Sequence, residues 1–224
     1  MVSRMDQDDL EQAAPRARRD DAPARRTQEE RSAGTIARLS DATIDLMAEG
    51  GLVNLTTTRI ARRAGVSRGA MLHHFPSKRA LVMHATGQMW GRVVAASERL
   101  RAACDPDRPD PPAFVEALWT EAMTPTHVSV TADVMVAARG DPELQAHLDA
   151  GVARMFASYR ATARHAFGKA GLAPAECDAL TDSVAATLRG LRLAQMLSPD
   201  PARAEAVRAM LVELLTARLA QGAG

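Results

Sequence analysis

The stretch "TTTRIARRAGVSRGAMLHHFPSK", Thr56 to Lys78, constrains this chain more than any other. It sets two short amphipathic segments on either side of Gly65 and ends them at Phe75-Pro76. Thr56 is a good N-cap for the first segment, which the spacing carries to about Ala64 with Ile60, Ala61 and Ala64 facing inward. Gly65 supplies a left-handed turn that other residues adopt only at a cost. Ser67 caps the second segment, Pro76 breaks it after His74, and Ser77 caps a long helix carrying Leu81, Val82, Ala85 and Met89. Two helices joined by a tight glycine turn make either a nucleic-acid reader or a plain helical hairpin, and spacing alone leaves both open.

The flanking sequence is helical as well. Ile36, Leu39, Leu46 and Met47 fall at helical spacing from Thr35 until "EGG" at 49–51 stops the pattern. Beyond the loop "CDPDRPDPPA", helical patterns run over about 112–123, 126–138, 142–168, 175–197 and 201–220, with breakers at Pro125, "RGDP", "GKAGLAP" and "SPDP". Aromatic residues are 3% of the chain, and no long run alternates apolar with polar residues. The expected class is therefore all-α, with about nine helices: a three-helix N-terminal head over 35–84 and a larger helical body over 85–224. Residues 1–34 mix both charge signs with almost no large apolar residue after Leu10, and read as a disordered tail. Arg16, Arg18, Arg19, Arg25 and Arg26 leave a DNA-reaching arm open there, although the interspersed acids nearly cancel them.

Charge narrows the partner. The chain carries a formal net charge of +1, yet residues 35–84 hold seven basic against three acidic residues, the only positive block. A local positive field suits a polyanion better than a membrane or an acidic metabolite. Cys104 and Cys177 are far apart and lack zinc-binding or redox spacing, which fits a reducing cytoplasm and two small core residues. No stretch of roughly 18 apolar residues occurs, and the N-terminus lacks the apolar run of a signal peptide, so a cytoplasmic protein without a membrane span is expected.

At the leading end of the third helix, Ser67, Arg68, Gly69 and Ala70 combine backbone N–H groups and a helix dipole that favour phosphate with short side chains that admit a groove wall. Residues 35–85 resemble the DNA-binding domain of the TetR family of transcriptional regulators, most specifically in "IARRAGVSRGAMLHHFPSK". The resemblance implies that Thr56, Thr57 and Lys78 meet phosphate and that Arg68, Ala70, Met71 and His73 face the groove or its backbone, with Arg68 the best partner for a guanine. Leu72 stands where the family often has a phosphate-binding tyrosine, so either His73 takes up that contact or one contact is lost. Arg59, Arg62 and Arg63 fit a solvated outer face or phosphate contact equally well, whereas His74 and Phe75 read as hinge packing.

In the body, Leu180, Val184, Leu188, Leu191 and Gln195, then Val207, Met210, Leu211, Leu214 and Leu215, make apolar stripes broader than one seam needs. They either fill the monomer core or, as the resemblance implies, pair with their copies in a homodimer that sets two reading helices roughly 34–36 Å apart. Candidate effector contacts are Trp90, Trp119, Met123, His127, Met135 and Tyr159, though methionine and aromatic residues also fill ordinary cores. With no charge cluster evident there, the expected effector is a small apolar or amphipathic molecule whose binding tilts the fourth helix and releases a palindromic operator. The rival reading is a DNA-binding dimer without a small-molecule ligand, acting through a protein partner or architecturally. No nucleophile with its base, metal set or phosphate loop stands out, so neither an enzyme nor a cofactor is expected.

Overall fold

The computed structural model describes residues 27–222. Among the described residues there are nine α-helices and no strand: α1 (Gln28–Gly50), α2 (Thr57–Ala64), α3 (Arg68–His74), α4 (Lys78–Ala103), α5 (Pro111–Ala117), α6 (Pro125–Ala138), α7 (Pro142–Phe167), α8 (Pro174–Leu197) and α9 (Pro201–Gly222). A 3-10 turn, Leu52–Asn54, precedes α2, and a π-helical turn, Leu118–Ala122, extends α5. Five helices, α5 to α9, begin on a proline, whose missing N–H costs nothing at a first helical position.

Local signals build the head. The hydroxyls of Thr56, Ser67 and Ser77 accept hydrogen bonds from the N–H groups of Arg59 (3.2 Å), Ala70 (3.0 Å) and Ala80 (3.0 Å), capping α2, α3 and α4. Gly65 ends α2 at φ 66° and ψ 36°, the left-handed conformation expected of it. One boundary moves: α1 begins at Gln28, inside the segment expected to be a disordered tail. Thr27 and Glu30 form a capping box, with Thr27 N–H donating to Glu30 Oε2 (2.8 Å) and Glu30 N–H donating to Thr27 Oγ1 (3.2 Å). Two orphan donors are satisfied at once, enough to start a helix ahead of its apolar stripe. Residues 1–26, the rest of that expected tail, lie outside the described residues.

A continuous core joins head and body. Leu39, Met47, Leu55, Ile60, Met71 and Leu81 are almost fully buried in the head, and Trp90, Val130, Met155, Tyr159 and Leu188 in the body. Helix α4, an unbroken 26-residue rod, runs on from the head into the body with no irregular linker between them. Midway along the rod, the Trp90 ring lies against Gly151 of α7 and its Nε1 donates to Thr131 Oγ1 of α6 (3.1 Å). The Thr86 hydroxyl meets His147 Nε2 (2.9 Å) and that of Ser97 meets Thr162 Oγ1 (2.9 Å), pairing buried polar atoms along the α4–α7 seam. Bidentate pairs of Arg160 with Asp182 and Arg164 with Asp178 tie α7 to α8.

Candidate nucleic-acid interface and body cleft

Helix α3 has only seven residues, of which Met71 is the one fully buried, with Phe75 one turn later also buried. Met71 was expected to face the groove; this assignment is corrected, because its side chain is the apolar anchor that holds so short a helix in place. Arg68, Gly69, Ala70 and His73 are exposed, as is Thr56, while Thr57 is half-buried. Arg68 has no acidic partner among the described residues. Lys78 is exposed and its ammonium donates to the Leu55 carbonyl (3.2 Å), leaving two of its three donors uncommitted. Leu72 is exposed and brings no polar group to the surface beside His73.

The arginines of α2 divide. Arg63 forms a bidentate pair with Glu49 of α1 (2.8 and 2.6 Å), which raises the arginine pKa and lowers that of the carboxylate, chiefly through the hydrogen bond between them. Arg59 donates to the Asn54 carbonyl (2.7 Å). Arg62 is exposed and makes no ion pair among the described residues.

The six expected effector contacts do not converge on one cavity. Trp90 is fully buried at the α4–α7 seam. Trp119 lies under two guanidinium groups, with Arg192 3.5 Å and Arg208 5.4 Å from its ring centroid. Arg192 also donates to the carbonyls of Met123 (2.5 Å) and Trp119 (3.3 Å), satisfying the end of the π-helical turn. Met123 and Tyr159 are buried packing residues; burial keeps the Tyr159 hydroxyl protonated well beyond the usual range, partly opposed by the charge of Arg189. As effector contacts, Trp90, Trp119, Met123 and Tyr159 are therefore corrected to core. Only His127 and Met135 line an open cleft of about 630 Å³ between α6, α7 and α8.

That cleft is mostly apolar, walled by Val128, Leu148, Val152, Met155, Phe156 and Leu193, with His127, Thr131, Gln145, Asp149, Arg160 and Arg189 as its polar side chains. The His127 imidazole is held neutral at physiological pH: burial, reinforced by the charge of Arg189, lowers its pKa to about 4. Its Nδ1 is buried with no hydrogen-bond partner. The sequence reading missed Arg189 as a site residue. Its setting, Leu188-Arg189-Gly190-Leu191-Arg192, gives it nothing that sets it apart from Arg192 on the same helix face.

Helix α6 connects this cleft to the head. His127, Val128, Thr131, Ala132 and Met135 line the cleft, while Asp133 accepts a hydrogen bond from the Leu52 N–H of the turn before α2 (2.9 Å). Arg79, at the start of α4, pairs with Asp141 (2.9 Å) at the N-cap of α7 and with Glu143 (3.4 Å), adding a second tie between head and body. Both ties border a second cavity, about 680 Å³, lined by Leu52, Val53, Val82, Val136 and Leu144.

The expected dimer residues divide by burial. Val184, Leu188, Leu191 and Leu211 are buried by this chain's own packing and are corrected to monomer core, because α8 and α9 turn these positions toward α5, α6 and α7. Leu180 and Val207 are half-buried, and Leu214 is 58% exposed. Leu193, Met196, Leu197 and Met210 add to the exposed apolar surface of the same two helices.

Among the described residues, no three His, Cys, Asp or Glu side chains stand close enough to hold a metal ion. No helix among them is long and apolar enough to cross a membrane.

Two family models match, each to its own part of the chain. Residues 39–85 match "Bacterial regulatory proteins, tetR family", and residues 98–220 match "BetI-type transcriptional repressor, C-terminal". The HTH-type transcriptional regulator CymR of Pseudomonas putida is 27% identical over 202 residues, covering 89% of this chain and 98% of that protein. A crystal structure of a transcriptional regulator from Pseudomonas aeruginosa PAO1 superposes with a TM-score of 0.66 at 25% identity, covering 86% of this chain and 93% of that one. FadR from Bacillus subtilis, solved in complex with stearoyl-CoA, shares the fold with a TM-score of 0.64 at 14% identity, covering 83% and 98%.

Proposed function

The chain belongs to the TetR family of bacterial transcriptional regulators, and from that premise we propose that it is a cytoplasmic homodimeric repressor, released from a palindromic operator when a small molecule enters its body. The observation that carries the reading is the exposed leading end of α3. Arg68, Gly69 and Ala70 stand free of protein contacts that would occupy a groove-reading surface, while Met71 holds the helix from behind. Thr56, Thr57 and Lys78 position the duplex through phosphate, Arg68 reads or braces a base, and Ala70 and His73 meet the groove wall.

Dimerisation is supported by the apolar surface that α8 and α9 leave uncovered: Leu193, Met196, Leu197, Met210 and Leu214, joined by the half-buried Leu180 and Val207. Leu193, Met196 and Leu197 fall at helical spacing on α8 and Met210 and Leu214 on α9, so each helix presents an exposed apolar face, the kind of surface that marks an interaction. The effector reading rests on the 630 Å³ cleft. A ligand there presses on α6, which carries Asp133 against the head, and on α7, which is bound along α4. The heads therefore shift with the body rather than independently of it. Burial of Trp90, Trp119, Met123 and Tyr159 favours the second reading, a dimer acting without a ligand, because it removes four of the six contacts that an enclosed pocket would use.

Selection of binding sites from a random duplex DNA pool tests the proposal. A recovered palindrome with half-sites roughly one helical turn apart is the expected result, and Arg68→Ala should then weaken binding by about 1–3 kcal/mol while relaxing base preference at one position. No enrichment even at low salt would return the α2–α3 pair to a structural hairpin.

A further inference from the structure

We propose that the effector taken by the body cleft is an apolar anion, a small amphiphile ending in a carboxylate, and that Arg189 is the residue that recognises it. The inference deepens the effector reading above and rests on it. Beside the uncharged His127, Thr131 and Gln145, the polar side chains lining the cleft are charged: Arg160, Asp149 and Arg189. The first carries its counter-charge, and the second is exposed to water. Arg160 is held by both oxygens of Asp182 (2.9 and 2.5 Å), and Asp149 accepts from Gln145 Nε2 (2.8 Å).

Arg189 differs from both. It is half-buried on α8, its guanidinium rests 5.2 Å from the centroid of the Phe156 ring, and no carboxylate pairs with it among the described residues. A partly desolvated guanidinium without a counter-charge is a cost to the empty protein, and a carboxylate bound in a two-toothed fork offsets it. The rest of the wall is suited to an apolar tail, since Val128, Leu148, Val152, Met155 and Leu193 present no competing charge. A cationic amphiphile meets the wrong sign at Arg189 and finds in Asp149 only an exposed, hydrated carboxylate, where an ion pair is worth little. A neutral one gains the wall but leaves Arg189 unpaired.

Three probes of matched tail length separate these cases: octanoate, 1-octanol and octyltrimethylammonium, titrated calorimetrically into the full-length protein. Octanoate is expected to bind about tenfold or more tighter than 1-octanol, with the cation weakest. Arg189→Gln should bring octanoate affinity down to that of 1-octanol, and Arg189→Lys should restore part of the preference, which a merely unfolded variant would not do. If 1-octanol or the cation binds as tightly as octanoate, or if Arg189→Gln leaves octanoate binding intact, the anion assignment is overturned and the cleft stands as an apolar effector site. If none of the three binds, the effector reading of the cleft fails with it.

Discussion

Gly65 in the head and Gly151 in the body are both required, for opposite reasons. Gly65 sits at φ 66° with open space where a side chain would go, so it is kept for its backbone angle. Gly151 lies within α7, and a Cβ there would fall 2.1 Å from the Trp90 ring, so it is kept for the room it leaves. The head is shaped by local conformational chemistry that neighbouring residues announce. The body is shaped by close approach between helices far apart in sequence, which announces nothing locally.

The largest effect expected from this contrast is at Gly151→Ala. The Trp90 ring is fully buried and hydrogen-bonded to Thr131, so it cannot swing aside cheaply, and overpacking of this kind costs about 3 kcal/mol. Chemical denaturation with tryptophan fluorescence as the readout measures it, and a loss below that of Gly65→Ala would break the comparison.

Next comes a pH effect specific to the body. His127 has a folded pKa of about 4 against 6.5 unfolded, so between those values the unfolded chain binds more protons and stability falls as the solution is acidified. At pH 5 the loss relative to pH 7 is about 2 kcal/mol from this residue. His147 is shifted in the same direction by burial, whereas Glu49, Asp141 and Asp178 have lowered pKa values and lose their contributions only below about pH 4. Thermal melts of His127→Gln across pH 5 to 7 should show a flatter profile; an unchanged slope would remove His127 as its source.

The smallest expected change is Gly65→Ala, at about 1 kcal/mol of stability, because only backbone strain opposes it. Its melting temperature should drop less than that of Gly151→Ala, which sharpens the distinction between a residue kept for angle and one kept for space.

The same distinction accounts for what could be read in advance. Thr56, Gly65, Ser67 and Ser77 act on the next few residues, so α2, α3 and the start of α4 were legible from spacing. The early start of α1 was hidden because Thr27 and Glu30 look like ordinary members of a charged run. The family resemblance assigns Met71 to the groove by its position; with only seven residues in α3, one position must serve as anchor, and burial identifies which. In the body, apolar spacing gave helix positions but not partners. Tyr159 and Met123 look as suitable for a ligand as Met135, yet helix packing buries the first two and leaves the third open. Leu193 and Leu197 lie off the stripe of Leu180, Val184, Leu188 and Leu191, on a face of α8 that the chain's own packing leaves exposed.

The hydrogen bond from Leu52 to Asp133 spans 81 positions, and that separation bears on how such a protein can be recombined. A reading head cut at residue 84 and grafted onto a foreign body would lose the carboxylate that holds the turn before α2, together with the Asp141 partner of Arg79. Exchange of specificity by splicing therefore has to carry α6 and the start of α7 along with the head, so the transferable module is discontinuous in sequence although it is contiguous in space.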